Sequence, residues 1–258
     1  MTFILSQSTG QVGTATLNRP DKHNALSHDL VEELIQCLDD FQKAGMRIVV
    51  LRAASEATVW SAGHDINELP LGEDPLQYSD SVEKLLRAIA SFPGPVIAMV
   101  HGTVWGAAVD LALSCDLIIG DTTCSFAITP ANLGLAYNTA GLLHFMHRLP
   151  LNLLKEMLFT ASPVKAEDAA KWGILNHLTE QSDLESYTYE LAQLMLSKSP
   201  LVQSSVKEQL RILSQATPLA ADMFERIQGL RANVYASEDY KEGIRAFQEK
   251  RKPVFKGT

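Results

Sequence analysis

Two stretches of the chain carry residue types that could do chemistry through their backbone. Ser61-Ala62-Gly63-His64-Asp65-Ile66 follows an apolar, β-branched run at 47–53. His101-Gly102-Thr103-Val104-Trp105-Gly106-Ala107-Ala108-Val109-Asp110 follows a second run at 95–100 and leads into a helical stretch ending near Cys115. Small residues after a strand let backbone amides approach a ligand closely. Amides at a helix N-terminus point outward with partial positive charge and favour an anion. Either stretch alone is compatible with a tight turn. Two strand-to-helix junctions in one α/β core, however, can offer one amide each to the same oxygen, which is how an oxyanion is stabilised.

Side chains nearby offer less. Tyr137, in Leu135-Ala136-Tyr137-Asn138, could present its hydroxyl to a ligand or simply bury its ring at a helix start with the hydroxyl in water. Thr129 precedes Pro130, which biases it to an extended conformation near a pocket wall. The His64 imidazole is expected to pack or cap. His101, His144 and His147 have no ligand spacing, so no metal is expected. Ser61 lacks the nucleophile-elbow pattern, which argues against an acyl-enzyme.

The elements that would position these groups follow from periodicity. Residues 2–8 and 12–17 flank Thr9-Gly10-Gln11 and predict a hairpin. Ser27 is a helix N-cap, with Leu30, Val31, Leu34, Ile35, Leu38 and Phe41 on one face. Runs at 47–53, 95–100 and 116–120 read as strands, with a helix-period segment between each successive pair. That alternation implies right-handed crossovers and parallel, doubly buried strands, hence an α/β core. From about residue 139 the pattern becomes helix after helix (139–148, 150–160, 165–172, 182–198, 200–215, 219–236), with only 174–178 strand-like. No linker, low-complexity tract or repeat of 20 to 50 residues is found. We therefore expect an α/β core over 1–195 and a helical extension over 196–258. Helices that cannot bury their faces in so small an appendage usually pack on a neighbouring subunit, so a homo-oligomer is expected.

Composition bounds the function. With 46% hydrophobic and 20% charged residues in 258, the chain reads as an ordinary globular protein. A net charge of −8 disfavours nonspecific nucleic-acid binding, which relies on clustered cations. No apolar stretch approaches a spanning helix, and the N-terminus does not read as a signal peptide. Three cysteines in apolar segments, Cys37, Cys115 and Cys124, fit a reducing cytoplasm. The one dense basic cluster, Lys250-Arg251-Lys252, is as compatible with a solvated tail as with a phosphate contact.

Asn24-Ala25-Leu26, Ser61 to Ile66, Gly102 to Ala107, Asp116-Leu117 and Leu133-Gly134 together resemble the enoyl-CoA hydratase/isomerase (crotonase) family, along nearly the whole chain. Phe126 to Gly134, Phe159 to Pro163, Phe224 to Gly229 and Glu249 to Pro253 resemble its decarboxylating members. The resemblance implies a ββα superhelix with a C-terminal helical extension used in oligomerisation, as a homotrimer or dimer of trimers. It implies an acyl-CoA substrate, with no cofactor beyond the coenzyme A that the substrate carries. The His64 and Ala107 amides would bind the thioester oxygen, with Gly63 and Gly106 beside them. Ala25, Ala62 and Ile66 would offer backbone groups to adenine and pantetheine, with Asp65 in the same loop, and Lys22 and Lys250 would lie near the phosphates. Thr129 would contact the thioester chain or a carboxylate, and Tyr137 would orient that carboxylate or hand over a proton.

Family members that hydrate enoyl thioesters resemble one another in carrying two glutamates, because water must be deprotonated and the α-carbon protonated. The matching positions here are Asp110 and Ala131. Loss of CO₂ needs no general base, only a place for the electron pair, and a pocket without a second carboxylate avoids repelling the substrate's own. The expected activity is thus decarboxylation of methylmalonyl-CoA or malonyl-CoA to propionyl-CoA or acetyl-CoA. Hydration, isomerisation or thioester hydrolysis on the same scaffold, or a non-catalytic binding role, are the alternatives. Two departures stand out: Ala107 where the family usually has Gly, and Asp110 where the decarboxylating members have Glu, an Asp whose simplest role would be to interact with the helix dipole.

Overall fold

The computed structural model describes residues 2–70, 74, 76–214 and 220–257. Strands β1 (Ile4–Thr9) and β2 (Val12–Leu17) form the expected antiparallel hairpin. Ser27 caps helix α1 (His28–Lys43), accepting from the Leu30 amide, and Leu30, Val31, Leu34, Leu38 and Phe41 are buried. Strands β3 (Ile48–Ala53), β5 (Val96–Val100) and β7 (Leu117–Asp121) are the three apolar runs, and β10 is His177–Thr179. They join one sheet in the order β1-β2-β3-β5-β7-β10, parallel from β2 onward.

Both faces of this sheet are covered, which is why its strands are continuous apolar runs. Along β3, Val49, Leu51 and Ala53 pack toward α1 and helices α2 (Ser81–Ser91) and α3 (Ala107–Ser114), while Ile48 and Val50 face α7 (Leu184–Leu196) through Leu184 and Ala192. The two-residue alternation of strand side chains divides the core into these two layers.

A second sheet has the order β4-β6-β8-β9, formed by Val59–Ser61, Thr103–Trp105, Ser125–Ala127 and Val164–Lys165. Sequence periodicity misses it because two or three residues cannot establish an alternation. The chain thus runs β3-β4-α2, β5-β6-α3 and β7-β8 followed by α4 (Thr139–Arg148). Successive turns of ββα wind side by side with no matching repeat in sequence, since connections of very different length separate equivalent strands.

Helices α5 (Leu151–Thr160), α6 (Ala166–Lys171), α8 (Pro200–Ser214) and α9 (Ala221–Tyr235) follow the expected pattern. A tenth helix, α10 (Glu238–Gln248), was not anticipated. Ser237 caps it and Tyr240, Gly243, Ile244 and Ala246 line its buried side, against the turn Pro130–Leu133. Among the described residues no helix is long and apolar enough to cross a membrane.

One buried residue ties the first ββα turn to the hairpin. Asn24, in the left-handed region at φ 52°, a conformation its short polar side chain tolerates, accepts from the Arg19 amide at 2.8 Å. It also donates to the carbonyls of Val59 at 3.3 Å and Trp60 at 3.1 Å. Its own carbonyl accepts from Ser61 Oγ at 2.7 Å. Asn24→Ala leaves one buried N–H and two carbonyls without these partners and adds left-handed strain. The expected loss is about 2–4 kcal/mol, read from the urea midpoint. A loss under about 1 kcal/mol would show that the clamp does not hold the segment.

Candidate active site

Leu26 pairs with His64 as an isolated parallel bridge: the Leu26 amide donates to the Gly63 carbonyl at 2.8 Å, and the Asp65 amide to the Leu26 carbonyl at 3.2 Å. In such a pairing the N–H of the intervening residue points to the opposite side. On that side lies the second junction. A Cβ added to Gly63, which has φ +83°, would stand 2.4 Å from the Trp105 carbonyl oxygen and 2.9 Å from the Ala107 nitrogen. Only glycine permits that approach, so the two junctions seen in sequence are in contact.

Ala107 is the first residue of α3, and the first amides of a helix have no partner within it. The Gly106 amide is spent on the Ala127 carbonyl at 2.8 Å, whereas neither the His64 nor the Ala107 amide has an acceptor among the described residues. The left-handed backbone falls on Gly106 (φ +58°). Alanine at 107 therefore sits in ordinary helical geometry, and the departure from the family's Gly costs no strain.

The amides stand where a large cleft meets a small chamber. The cleft, about 730 Å³, is lined by Lys22, Ala25, Ala62, His64, Asp65, Ile66, Thr129 and Lys250 among others. The chamber is about 60 Å³, the share of about two water molecules in the liquid. It is lined by Gly106, Ala107 and Tyr137 with Leu69, Leu76, Pro130 and Leu135, and it shares Ala62, His64, Ile66, Thr129 and Leu133 with the cleft. Every candidate residue from the sequence is thus brought together, with Gly63 buried behind the wall. Helix α10 supplies Phe247 to the cleft, and Lys250, just past the helix end, lines it too. Lys250 stays there while its neighbour Arg251 is held by Glu242, at 2.6 and 2.9 Å.

Several expectations need correction. Thr129 is not extended: it lies at φ −100°, ψ 5° and opens the turn Pro130–Leu133, its carbonyl accepting from the Asn132 amide at 3.0 Å. The tertiary turn overrides the bias that proline imposes on its predecessor. The Asp65 carboxylate is not free for a ligand, since Arg19 donates to it at 2.9 Å and Asn67 at 2.9 and 3.2 Å. Ala131 is exposed on the turn and does not line the chamber. Nor is Asp110 left to the helix dipole alone. It is 2% exposed, it accepts from the Tyr137 hydroxyl at 3.3 Å, and His144 Nδ1 bonds its other oxygen.

The wall behind Tyr137 is more acidic than expected. Glu83 of α2 accepts from the Asn138 side chain, which also donates to the Leu76 carbonyl at 3.3 Å. Burial pushes the Glu83 carboxyl up, the Asn138 bond opposes this, and the charge of Asp110 adds to the rise. Burial, then the negative charges of Asp110 and Glu83, raise the Tyr137 phenol well above its usual value. The phenol therefore holds its proton. Glu83, Asn138 and His144 escaped sequence reasoning because helical spacing alone cannot say that α2, α3 and α4 converge behind one tyrosine.

The His64 imidazole does pack, with Nε2 3.4 Å from Asp80 Oδ2. Burial would lower its pKa, but the hydrogen bond and charge of Asp80 outweigh this, so the net shift is upward. Asp80 caps α2, accepting from the Val82 amide at 2.9 Å, so the pair pins the loop that carries the His64 amide to the end of a helix. Among the described residues no group of three or more His, Cys, Asp or Glu side chains is placed to hold a metal ion.

The model of the family "Enoyl-CoA hydratase/isomerase" matches residues 7–258. The chain is 46% identical over 256 residues to methylmalonyl-CoA decarboxylase of Escherichia coli (strain K12), covering 99% of this chain and 98% of that one. It is 34% identical to carnitinyl-CoA dehydratase of Shigella flexneri, covering 96% of each. Two solved structures superpose closely. One is methylmalonyl-CoA decarboxylase in complex with 2-nitronate-propionyl-CoA (TM-score 0.97, 44% identity, 99% of both chains). The other is the same enzyme complexed with 2S-carboxypropyl CoA (TM-score 0.98, 44% identity, 100% of this chain and 99% of that one). With two unpartnered amides at the neck of its cleft and a match spanning nearly its full length, this chain belongs to the enoyl-CoA hydratase/isomerase family.

Proposed function

We propose that the protein decarboxylates methylmalonyl-CoA to propionyl-CoA, taking malonyl-CoA to acetyl-CoA as the smaller analogue. The observation that carries this reading is the pair of free amides, His64 and Ala107, between a nucleotide-sized cleft and an apolar chamber with room for a short acyl head. The likeness to methylmalonyl-CoA decarboxylase over the full length supports the same chemistry.

The coenzyme A moiety would lie in the cleft, with the backbones of Ala25, Ala62 and Ile66 toward adenine and pantetheine. Lys22 and Lys250 would face the phosphates, beside Asp21, which also lines the cleft. The thioester oxygen would accept from both amides. The substrate carboxylate would enter the chamber, where Leu69, Leu76 and Leu135 withhold water and Tyr137 and Thr129 set its direction. As the C–C bond breaks, its electron pair moves into the thioester to give an enolate. Negative charge leaves the apolar end, where it is poorly solvated, and arrives at the amides, which await it there. The thioester is the electron sink, so the reaction calls for no metal or nucleotide cofactor. A proton then adds to the α-carbon. Hydration is disfavoured because neither member of the hydratase's acid pair reaches the chamber: Ala131 lacks an acid, and Asp110 is held behind Tyr137.

We further propose a homo-oligomer, a trimer or a dimer of trimers, with the C-terminal helices at its contacts. Large apolar side chains of α8 and α9 lie bare on one copy, among them Leu201 (79% exposed) and Leu210 and Leu230 (61% each). Patches of that kind mark association surfaces. The three cysteines are buried and unpaired, with burial pushing the Cys115 thiol up to about 12. That fits a reducing compartment, and we place the protein in the cytoplasm.

Three outcomes are expected. Methylmalonyl-CoA is converted to propionyl-CoA and CO₂ at an undiminished rate in excess chelator; activity that chelator abolishes and zinc restores would overturn the mechanism. Ala107→Pro lowers turnover by about 10² to 10³, the usual effect of losing one oxyanion donor. The fold survives that change, because proline is favoured at the first position of a helix, and near-normal turnover in a folded variant would remove the Ala107 amide from the mechanism. Light scattering of the eluting protein gives three or six times the mass of one chain, and a monomer would refute the assembly.

A further inference from the structure

The reaction consumes one proton at the α-carbon in each cycle, and the chamber that holds the carbanion is lined by groups that cannot supply it repeatedly. Among the described residues, Tyr137 is the one titratable side chain lining the chamber apart from His64, whose ring is committed to Asp80. Its phenol resists ionisation, being buried beside two acids. A donated proton must therefore be replaced as it leaves.

The structure contains a line of groups suited to that replacement. The Tyr137 hydroxyl bonds Asp110 Oδ2 at 3.3 Å, and the other oxygen of that carboxylate bonds Nδ1 of His144. The Asp110 side chain is 3% exposed, whereas that of His144 is 32% exposed. The line thus begins in the chamber, crosses a buried carboxylate and ends at a group open to solvent. Its surroundings keep it in register: Gly141 lies against the Tyr137 ring, Phe145 packs 5.1 Å from that ring, and the Asn138 side chain caps α4 through the Gly141 amide at 2.8 Å. The titratable groups facing the line from its neighbours are Asp110 itself on α3, Glu83 on α2, and Tyr137 in the segment before α4.

We propose that His144, acting through Asp110, returns to Tyr137 the proton that this phenol gives to the enolate. The inference rests on the decarboxylase reading. After CO₂ has left, the Tyr137 O–H proton bonds to the α-carbon, whose electron pair is the one released by the C–C bond. The His144 imidazolium gives its Nδ1 proton to Asp110, and a turn of the protonated carboxyl delivers it to the phenol oxygen. Asp110 ends as carboxylate, Tyr137 as phenol and His144 as neutral imidazole, which takes its next proton from water. Tyr137 is the catalytic residue, while Asp110 and His144 position and recharge it.

Slow proton delivery leaves the enolate in place beside the CO₂ it has just lost, so the bond can re-form. Turnover of methylmalonyl-CoA is followed under ¹³C-labelled CO₂ for the unaltered protein, for His144→Gln, which retains a hydrogen-bonding side chain but has no proton it can release and regain, and for His144→Ala with and without imidazole. Loss of a general acid typically costs 10² to 10⁴ in rate. We expect kcat to fall about 10²-fold in both variants with KM within twofold. Label should appear in the remaining substrate at least tenfold above the unaltered protein, and imidazole should restore His144→Ala in proportion to its protonated fraction. A fall in kcat without label in the substrate, or without imidazole rescue, would mean that His144 is merely structural and overturn the proposal, as would unchanged kcat. If the unaltered protein itself leaves methylmalonyl-CoA untouched, the decarboxylase reading fails and takes the proton line with it.

Discussion

The site depends on one close approach of backbone to backbone, that of Gly63 to the Trp105–Gly106–Ala107 segment. No side chain fits between them, so two amides from chain segments some 40 residues apart are held side by side without any linking side chain. Everything around the contact fixes it from outside. Asn24 and Leu26 hold the Gly63 strand from the hairpin side, the Ala127 carbonyl holds Gly106 from the next strand of the small sheet, and the His64–Asp80 pair ties the loop to the end of α2. Preorganised donors cost no reorganisation when charge arrives at them, and the winding of ββα turns is what supplies the preorganisation.

This arrangement explains why the amides were legible in the sequence while the acids behind them were not. Gly63 and Gly106 each follow a strand, and the helix start after Gly106 is visible in the stretch from Ala107 to Leu113, apolar but for Asp110, so both junctions announce themselves locally. The large sheet was equally readable, because Val49 and Val50, or Ala98 and Met99, must be apolar on both faces of a covered strand. The small sheet was hidden by its brevity, and α10 by a sequence in which only Tyr240, Ile244 and Phe247 are large apolar residues among charged ones. Thr129 misled for a different reason. A local steric rule predicted an extended residue, and a turn anchored by α10 imposed another conformation.

Charge within the site is unevenly divided. Toward the cleft the backbone offers two N–H groups and the rim offers Lys22 and Lys250. Behind the chamber lie Asp110, nearly out of solvent contact, and Glu83, mostly buried. Two acids so placed would repel a substrate carboxylate if both stood charged and unpartnered. Asn138 donates to one, while Tyr137 and His144 bond the other, and burial first, with the charge of Asp110 after it, keeps the Glu83 pKa raised against the Asn138 bond.

Asp110 shows how the placing of one acid decides what it can do on this scaffold. A hydratase needs an acid whose carboxyl enters the chamber and meets water there. Here the Asp110 carboxyl lies behind Tyr137 instead, where it accepts from the tyrosine and is paired by His144. The acid is retained in sequence but withdrawn from the substrate, and the group that faces the chamber becomes a phenol. A phenol that keeps its proton adds no negative charge to the space a carboxylate must enter, yet it can still give a proton once that carboxylate has gone. Decarboxylation needs both properties in that order, and the Tyr137 phenol, bonded to Asp110 with His144 on the far oxygen, offers them beside the two amides.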